Sequence, residues 1–246
     1  RQVSSAASDV YKRQILEFHV NKNPDSVTVS SDSIDYKNTD ILSKVSSLVE
    51  LLKKSDIKSG DRIALLAKNS SEFIELMYAS SILELVMVPI NFRLAYEEVK
   101  FIVQDSGSKI IIFGEEFKEI VEELNSDKTK LELSFEIKEL RKLLKDKGPV
   151  SFDSSWLSNN GSNTPLFQMY TSGTTGNPKG ALISQKGIIS LIENGMDNLG
   201  PFDPNAVNLV CMPLFHIAGS AWLFFGLASG CKNILLVDII PDKILD

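Results

Sequence analysis

The sequence predicts an α/β protein, with parallel sheets flanked by helices in layered α/β subdomains. Short, fully apolar runs such as Ile-Ala-Leu-Leu-Ala at 63–67 and Ile-Ile-Ile-Phe at 110–113 read as strands buried on both faces. Between such runs stand segments with apolar residues at helical spacing, as at Ile41, Val45, Leu48, Val49 and Leu52. Strand and amphipathic helix alternate along the chain, which is the pattern of a parallel sheet covered on both sides.

In chain order, residues 40–54 form the first helix, with Asp40 able to cap it. A turn at Gly60 and Asp61 leads into the strand at 62–67. Ser70 and Ser71 are N-cap candidates for a helix over 71–83. The strand at 86–90 is ended by Pro89. A helix follows over 96–105, then the strand at 109–113, ended by Gly114, and a charged amphipathic helix to about Asn125. Residues 126–165 are rich in Lys, Glu, Ser and Asn, with one basic helical piece around 136–147, and read as a variable surface excursion. A second unit starts with a strand at 166–170 and a Gly-rich loop. It continues with a helix over 184–198, a turn at 200–204, a strand at 206–212 and a loop at 213–219. A buried helix over 221–229 and a strand at 233–237 follow, and 243–246 open another helix. The expected organisation is therefore a first α/β unit at 15–125, the excursion at 126–165, and a second unit at 166–246. Residues 4–14 resemble the translation of a sequencing-library adapter, the alternative being a disordered native tail, and 1–14 are set aside from fold reasoning.

The 246 residues are enough to bury a substantial core, and 43% hydrophobic with 24% charged is ordinary for a soluble globular chain. A net charge of −6, with scattered basic residues, gives no footprint for nucleic acid and no polybasic membrane patch. The longest apolar runs fall short of a membrane span, and the polar, Ser-rich start lacks the apolar core of a signal peptide. Cys211 and Cys231 sit in apolar contexts without metal-ligand spacing and read as free thiols of a reducing cytosol, the alternative being a bridge between the two. These features imply a cytoplasmic location, free or at a membrane surface, and are compatible with an oligomer.

The chemistry concentrates at 170–180, Tyr-Thr-Ser-Gly-Thr-Thr-Gly-Asn-Pro-Lys-Gly. Small and hydroxylated residues in a row form no packing surface. Gly173 and Gly176 let the main chain approach a ligand closely. The hydroxyls of Thr171, Ser172, Thr174 and Thr175 can donate to phosphate oxygens, and Lys179 supplies a positive charge. The loop is not a Walker A motif: Pro178 stands where that spacing needs its second Gly, and Gly180, not Ser or Thr, follows Lys179.

This loop resembles the signature of the AMP-forming adenylating superfamily, which includes acyl-CoA synthetases, peptide-synthetase adenylation domains and luciferases. The resemblance runs over nearly all of the chain after Ile15. The turn around Gly60-Asp61-Arg62, Asn69-Ser-Ser-Glu-Phe73 and Val88-Pro-Ile-Asn91 resemble further landmarks of the family, while Leu83-Glu-Leu85 departs from the small residues usual before that Pro. Met-Pro-Leu-Phe-His-Ile-Ala-Gly at 212–219 resembles the motif that lines the acid pocket. Amino-acid-activating members place an Asp after the Phe, because an α-ammonium group needs a counter-ion; here His216 stands there, which suits an acid with an apolar tail. Gly219 and Ser220 are expected to leave room for that tail. Trp222, Phe224 and Phe225 add apolar surface, with Phe224 and Phe225 read as core.

The resemblance implies ATP, Mg²⁺ and coenzyme A as reactants. It implies that a carboxylic acid, of fatty type, becomes first an acyl-adenylate and then a thioester. It also implies that Lys179 screens the departing pyrophosphate, that Thr171 touches the metal, and that His216 and Gly219 line the acid pocket. In the family, a metal-binding glutamate, a ribose-binding aspartate and a mobile C-terminal lid with its own lysine lie further along than Asp246, so the 246 residues alone are expected not to turn over. The alternatives are a nucleotide-binding module without catalysis and an aryl-acid or luciferase-like enzyme.

Overall fold

A computed structural model describes residues 14–127, 129–144, 153, 163–171 and 177–238. The adapter-like residues before Gln14 and the expected helix opening at 243–246 lie outside the described residues.

Two sheets form the molecule. Helix α1 (Gln14–Lys22) precedes the hairpin of β1 (Val27–Ser31) and β2 (Ile34–Lys37), and helix α2 (Asn38–Lys53) follows it. Next come β3 (Arg62–Leu66), α3 (Ser71–Leu83), β4 (Val86–Pro89), α4 (Tyr96–Ser106) and β5 (Ile110–Phe113). A 3₁₀ turn (Glu115–Phe117) leads into α5 (Lys118–Ser126), then β6 (Leu133–Glu136) and α6 (Ile137–Leu143). The rest is β7 (Pro165–Thr171), β8 (Lys179–Ser184), α7 (Gln185–Leu199), β9 (Val207–Val210), α8 (Ile217–Ser229) and β10 (Lys232–Leu235).

The larger sheet has the order β6-β5-β3-β4-β7-β8 and the smaller β2-β1-β10-β9. All pairings are parallel except β1 with β2 and β7 with β8. The α/β class with mostly parallel sheets is thus the one expected. Each sheet mixes strands from both sequence units. Val29 pairs with Asn233 in the small sheet, and Met87 with Phe167 in the large one.

The central strands are buried because they are apolar on both faces: Ile63, Ala64, Leu65 and Leu66 of β3 and Ile110, Ile111 and Ile112 of β5 are all nearly inaccessible. One core joins the two sheets through α2, α3, α7 and α8, where the rings of Phe73, Phe167 and Phe224 stack at 5.9 Å steps. A second core lies on the other face of the large sheet, under α4 and α5.

Local signals mostly act where expected, with several differences. The first helix starts at Asn38, and Asp40 caps it from inside the first turn, its carboxylate accepting the Lys37 N–H at 2.8 Å. Ser70 holds the N-cap position of α3 in extended geometry, yet its hydroxyl makes no capping bond. Within 126–165, residues 133–136 extend the large sheet as β6, and the basic helical piece is found at 137–143. The loop expected at 213–219 is shorter, because α8 begins at Ile217.

Candidate functional site

The parallel strands of the large sheet point the same way, so the residues after β3, β4 and β7 emerge at one edge. Ligands of open α/β sheets bind in crevices at the carboxyl ends of strands. A cleft of about 880 Å³ opens between the β1–β2 hairpin, α2 and α6, with Asn69 after β3, Gly114 after β5 and Val237 after β10 on its border; Thr171, Lys179 and the loop at 213–216 do not line it.

The Gly-rich motif is built on an antiparallel hairpin that sequence reading missed. Strand β8 folds back on β7, with Thr171 directly opposite Lys179 and Tyr170 opposite Gly180. Cross-strand partners of this kind stand about 5 Å apart, so the Thr171 hydroxyl and the Lys179 ammonium flank the mouth of the connection, and both are exposed. Ser172, Gly173, Thr174, Thr175 and Gly176 lie outside the described residues. Below the mouth the hairpin is fixed. The Tyr170 hydroxyl donates to the Asp105 carboxylate at 2.6 Å and accepts from Gln168 Nε2 at 2.9 Å, and Arg62 donates to Gln168 Oε1 at 3.4 Å. Burial, followed by the Asp105 hydrogen bond, pushes the Tyr170 hydroxyl well above the usual tyrosine range, so it stays a neutral donor.

The second segment is the loop between β9 and α8. His216 is the N-cap of α8; its ring is exposed, and its Nδ1 accepts the Ala218 N–H at 3.2 Å. Gly219 is buried in the first turn of α8. A Cβ there would lie 2.3 Å from the Pro213 carbonyl oxygen, so the space expected for an acyl tail at Gly219 is taken by the loop's own backbone. The Ser220 hydroxyl donates to the Leu214 carbonyl at 2.6 Å and folds the loop onto the helix. Phe215 packs edge-on against Phe92, just beyond β4, at 5.5 Å. Since β4 lies between β3 and β7, this contact seats the loop on the same sheet edge as the hairpin mouth. Trp222 is half-buried and donates from Nε1 to the Leu209 carbonyl; Phe224 is core, as expected.

Asn69, which the sequence marks only as the start of a family landmark with no role of its own, is 5% exposed. Its side chain bonds the backbone on both sides of Pro213. The residues around Asn69 carry no local signal for contacts more than 140 residues away.

Among the described residues no cluster of three or more His, Cys, Asp or Glu could hold a metal. No helix among them is long and apolar enough to cross a membrane. Cys211 and Cys231 are both free; burial raises the Cys231 thiol, which donates to the Gly226 carbonyl.

Two parallel-rich sheets that share a core and carry a hydroxyl-and-lysine hairpin and a helix-capping loop at one edge define a layered α/β protein. A family model described as AMP-binding enzyme matches residues 16–244, and the chain belongs to that family. It is similar to a fatty acid–[acyl-carrier-protein] ligase of Streptomyces coeruleorubidus, 28% identical over 243 residues covering 93% of this chain and 46% of the relative. A long-chain-fatty-acid–CoA ligase of Mycobacterium tuberculosis is 32% identical over 202 residues, covering 79% of this chain and 38% of the relative. The fold superimposes on the inhibitor-bound N-terminal domain of FACL13 from Mycobacterium tuberculosis with a TM-score of 0.85 at 26% identity, over 94% of this chain and 58% of that one. The chain thus spans less than half the length of these two curated relatives.

Proposed function

We propose that these residues belong to a ligase that activates a fatty acid with ATP and passes the acyl group to the thiol of coenzyme A. The observation that carries this reading is the seating of the Thr171/Lys179 hairpin mouth and the His216 loop on one sheet edge, in a chain of the AMP-binding family. A carboxylate oxygen attacks the α-phosphorus of ATP, the bond to the β-phosphate oxygen breaks, and pyrophosphate leaves. The thiol then adds to the acyl carbonyl, loses its proton and expels AMP. Positioning and charge stabilisation dominate such phosphoryl chemistry.

Lys179, held at the first position of β8, screens the charge that collects on the departing pyrophosphate. The Thr171 hydroxyl and the donors of 172–176 hold the β- and γ-phosphates. Mg²⁺ bound with the nucleotide would neutralise phosphate charge, and among the described residues at the hairpin mouth the Thr171 hydroxyl would offer it an oxygen. In this reading His216 faces the acid, and an imidazole followed by Ile217 and Ala218 provides no carboxylate counter-ion for an α-ammonium group. Gly219 acts by letting the loop pack closely onto α8. The acid, coenzyme A, a cytoplasmic setting and a lid domain beyond these residues belong to the same reading.

The test is pyrophosphate release by the protein encoded in the complete reading frame around these residues, with ATP and a panel of fatty, aryl and amino acids. Fatty acids are expected to give the highest kcat/KM. Lys179→Ala is expected to lower kcat by about two orders of magnitude with little change in melting temperature, because the side chain is exposed. Preference for an amino acid, or full activity in Lys179→Ala, would overturn the reading.

A further inference from the structure

We propose that Asn69 is the positioning residue of the acid-pocket loop: its amide clamps the backbone on both sides of Pro213 and ties that loop to the ends of β3 and β10. The inference rests on the role proposed above for the loop. Asn69 stands three residues beyond the end of β3 in the large sheet. Its Nδ2 donates to the Met212 carbonyl at 3.0 Å and to the Leu236 carbonyl at 3.1 Å, and its Oδ1 accepts the Leu214 N–H at 2.9 Å. Met212 and Leu214 flank Pro213 in the loop, and Leu236 follows β10, so one buried side chain joins the carboxyl ends of both sheets.

The arrangement uses both donors and an acceptor of the amide, and no other side chain of that size offers the same set. A loop that leaves a strand and re-enters a helix within six residues, from Cys211 to His216, cannot satisfy these backbone groups by itself. Ser220 holds the Leu214 carbonyl from the helix side, and Asn69 holds the Leu214 N–H from the sheet side. The Leu214 peptide is thereby fixed at both ends, one residue from Phe215 and two from His216. Loss of the clamp therefore moves the acid-facing residues and leaves β7 and β8 untouched, because Asn69 makes no hydrogen bond to the described residues of that hairpin.

The experiment uses the complete-frame protein and the variants Asn69→Leu and Asn69→Asp. In Asn69→Leu the KM for the fatty acid is expected to rise about tenfold, with the KM for ATP unchanged within about twofold. Asn69→Asp adds a pH signature. An ionised carboxylate faces two carbonyls and repels them, whereas the protonated acid can donate to one and still accept the Leu214 N–H. Its acid KM is expected to recover between pH 8 and pH 6, while that of Asn69→Leu does not. Hydrogen exchange at the Leu214 amide should accelerate in Asn69→Leu. Equal rises in both KM values, an unmoved acid KM, or an unchanged Leu214 exchange rate would overturn the proposal. If the unsubstituted protein releases no pyrophosphate with any acid, the ligase reading fails, and the exchange measurement still decides whether Asn69 holds the loop.

Discussion

Replacing Glu75 by Gln should change how the stability of the protein depends on pH. Glu75 is 1% exposed on α3, one turn after Glu72, which is 2% exposed. Arg141 of α6 grips Glu72 with two bonds, at 2.6 and 3.1 Å. Lys44 of α2 reaches Glu75 at 3.3 Å, and the Ser71 hydroxyl donates to the same oxygen at 3.0 Å. Two effects oppose each other at Glu75. Lys44 and Ser71 favour the carboxylate, while burial first, and the neighbouring Glu72 charge second, favour the acid. Burial wins, and the carboxyl is pushed up from 4.5 to about 7. Between these values the folded protein holds a proton that the unfolded chain has released. The stabilisation from that proton is complete below pH 4.5 and is lost as pH rises through about 7. A change from 4.5 to about 7 corresponds to about 3 kcal/mol. Glutamine keeps acceptors for Lys44 and Ser71 but has no proton to lose. Urea unfolding from pH 4.5 to 8 is the assay. The stability of Glu75→Gln minus that of the unsubstituted protein should increase by about 3 kcal/mol across that range. Groups elsewhere, including His19, whose burial lowers it, cancel in the difference. A difference flat to within about 1 kcal/mol would refute the reasoning, because it would mean that Lys44 keeps Glu75 ionised throughout.

Two further outcomes concern backbone and packing. Glu84 ends α3 in the left-handed region, at φ 56° and ψ 34°, a conformation that costs a side chain about 1–2 kcal/mol. Glu84→Gly should raise stability in urea melts by about 0.5 kcal/mol after the entropy of glycine in the unfolded chain is offset, although one exposed bond from Ser59 is lost; a lowered midpoint would contradict this. Gly226 lies under a buried amide pair in which Asn208 donates to Asn233 at 2.9 Å, and a Cβ there would stand 1.9 Å from Asn233 Oδ1. Gly226→Ala should therefore lower stability by about 3 kcal/mol or more, read as the shift of the urea midpoint, whereas a change below about 1 kcal/mol would mean that the small sheet can open at little cost.

The interior strands of the large sheet were legible because burial on both faces demands an unbroken apolar run, as in β3 and β5. Its edge strands were not. β6 reads Leu-Ser-Phe-Glu and β8 Lys-Gly-Ala-Leu-Ile-Ser, half-exposed patterns that carry no such run. β1 and β2 failed for the same reason, with Thr, Ser, Asp and Lys among their residues. The motif at 170–180 could be found without β8 because it is read from residue types in a row. The hairpin adds what a row of letters cannot, namely that Thr171 and Lys179 face each other.

Legibility divides along the same line as the two halves of the site. The half proposed to face phosphate is local: residues 165–171 pair with 179–184, and the residue types of the motif stand in a row. The half proposed to face the acid is assembled from afar. Its loop is held by Asn69, 143 residues before Met212 and 167 before Leu236, and by Phe92 beyond β4. Each sheet joins strands from both ends of the chain, so the loop acquires its position only when the small sheet has closed on β1 and the large one on β7. In the proposed ligase reading, acid preference would therefore depend, unlike phosphate binding, on residues outside the loop at 213–216. A change at Asn69 or Phe92 would redirect His216 with the hairpin sequence intact.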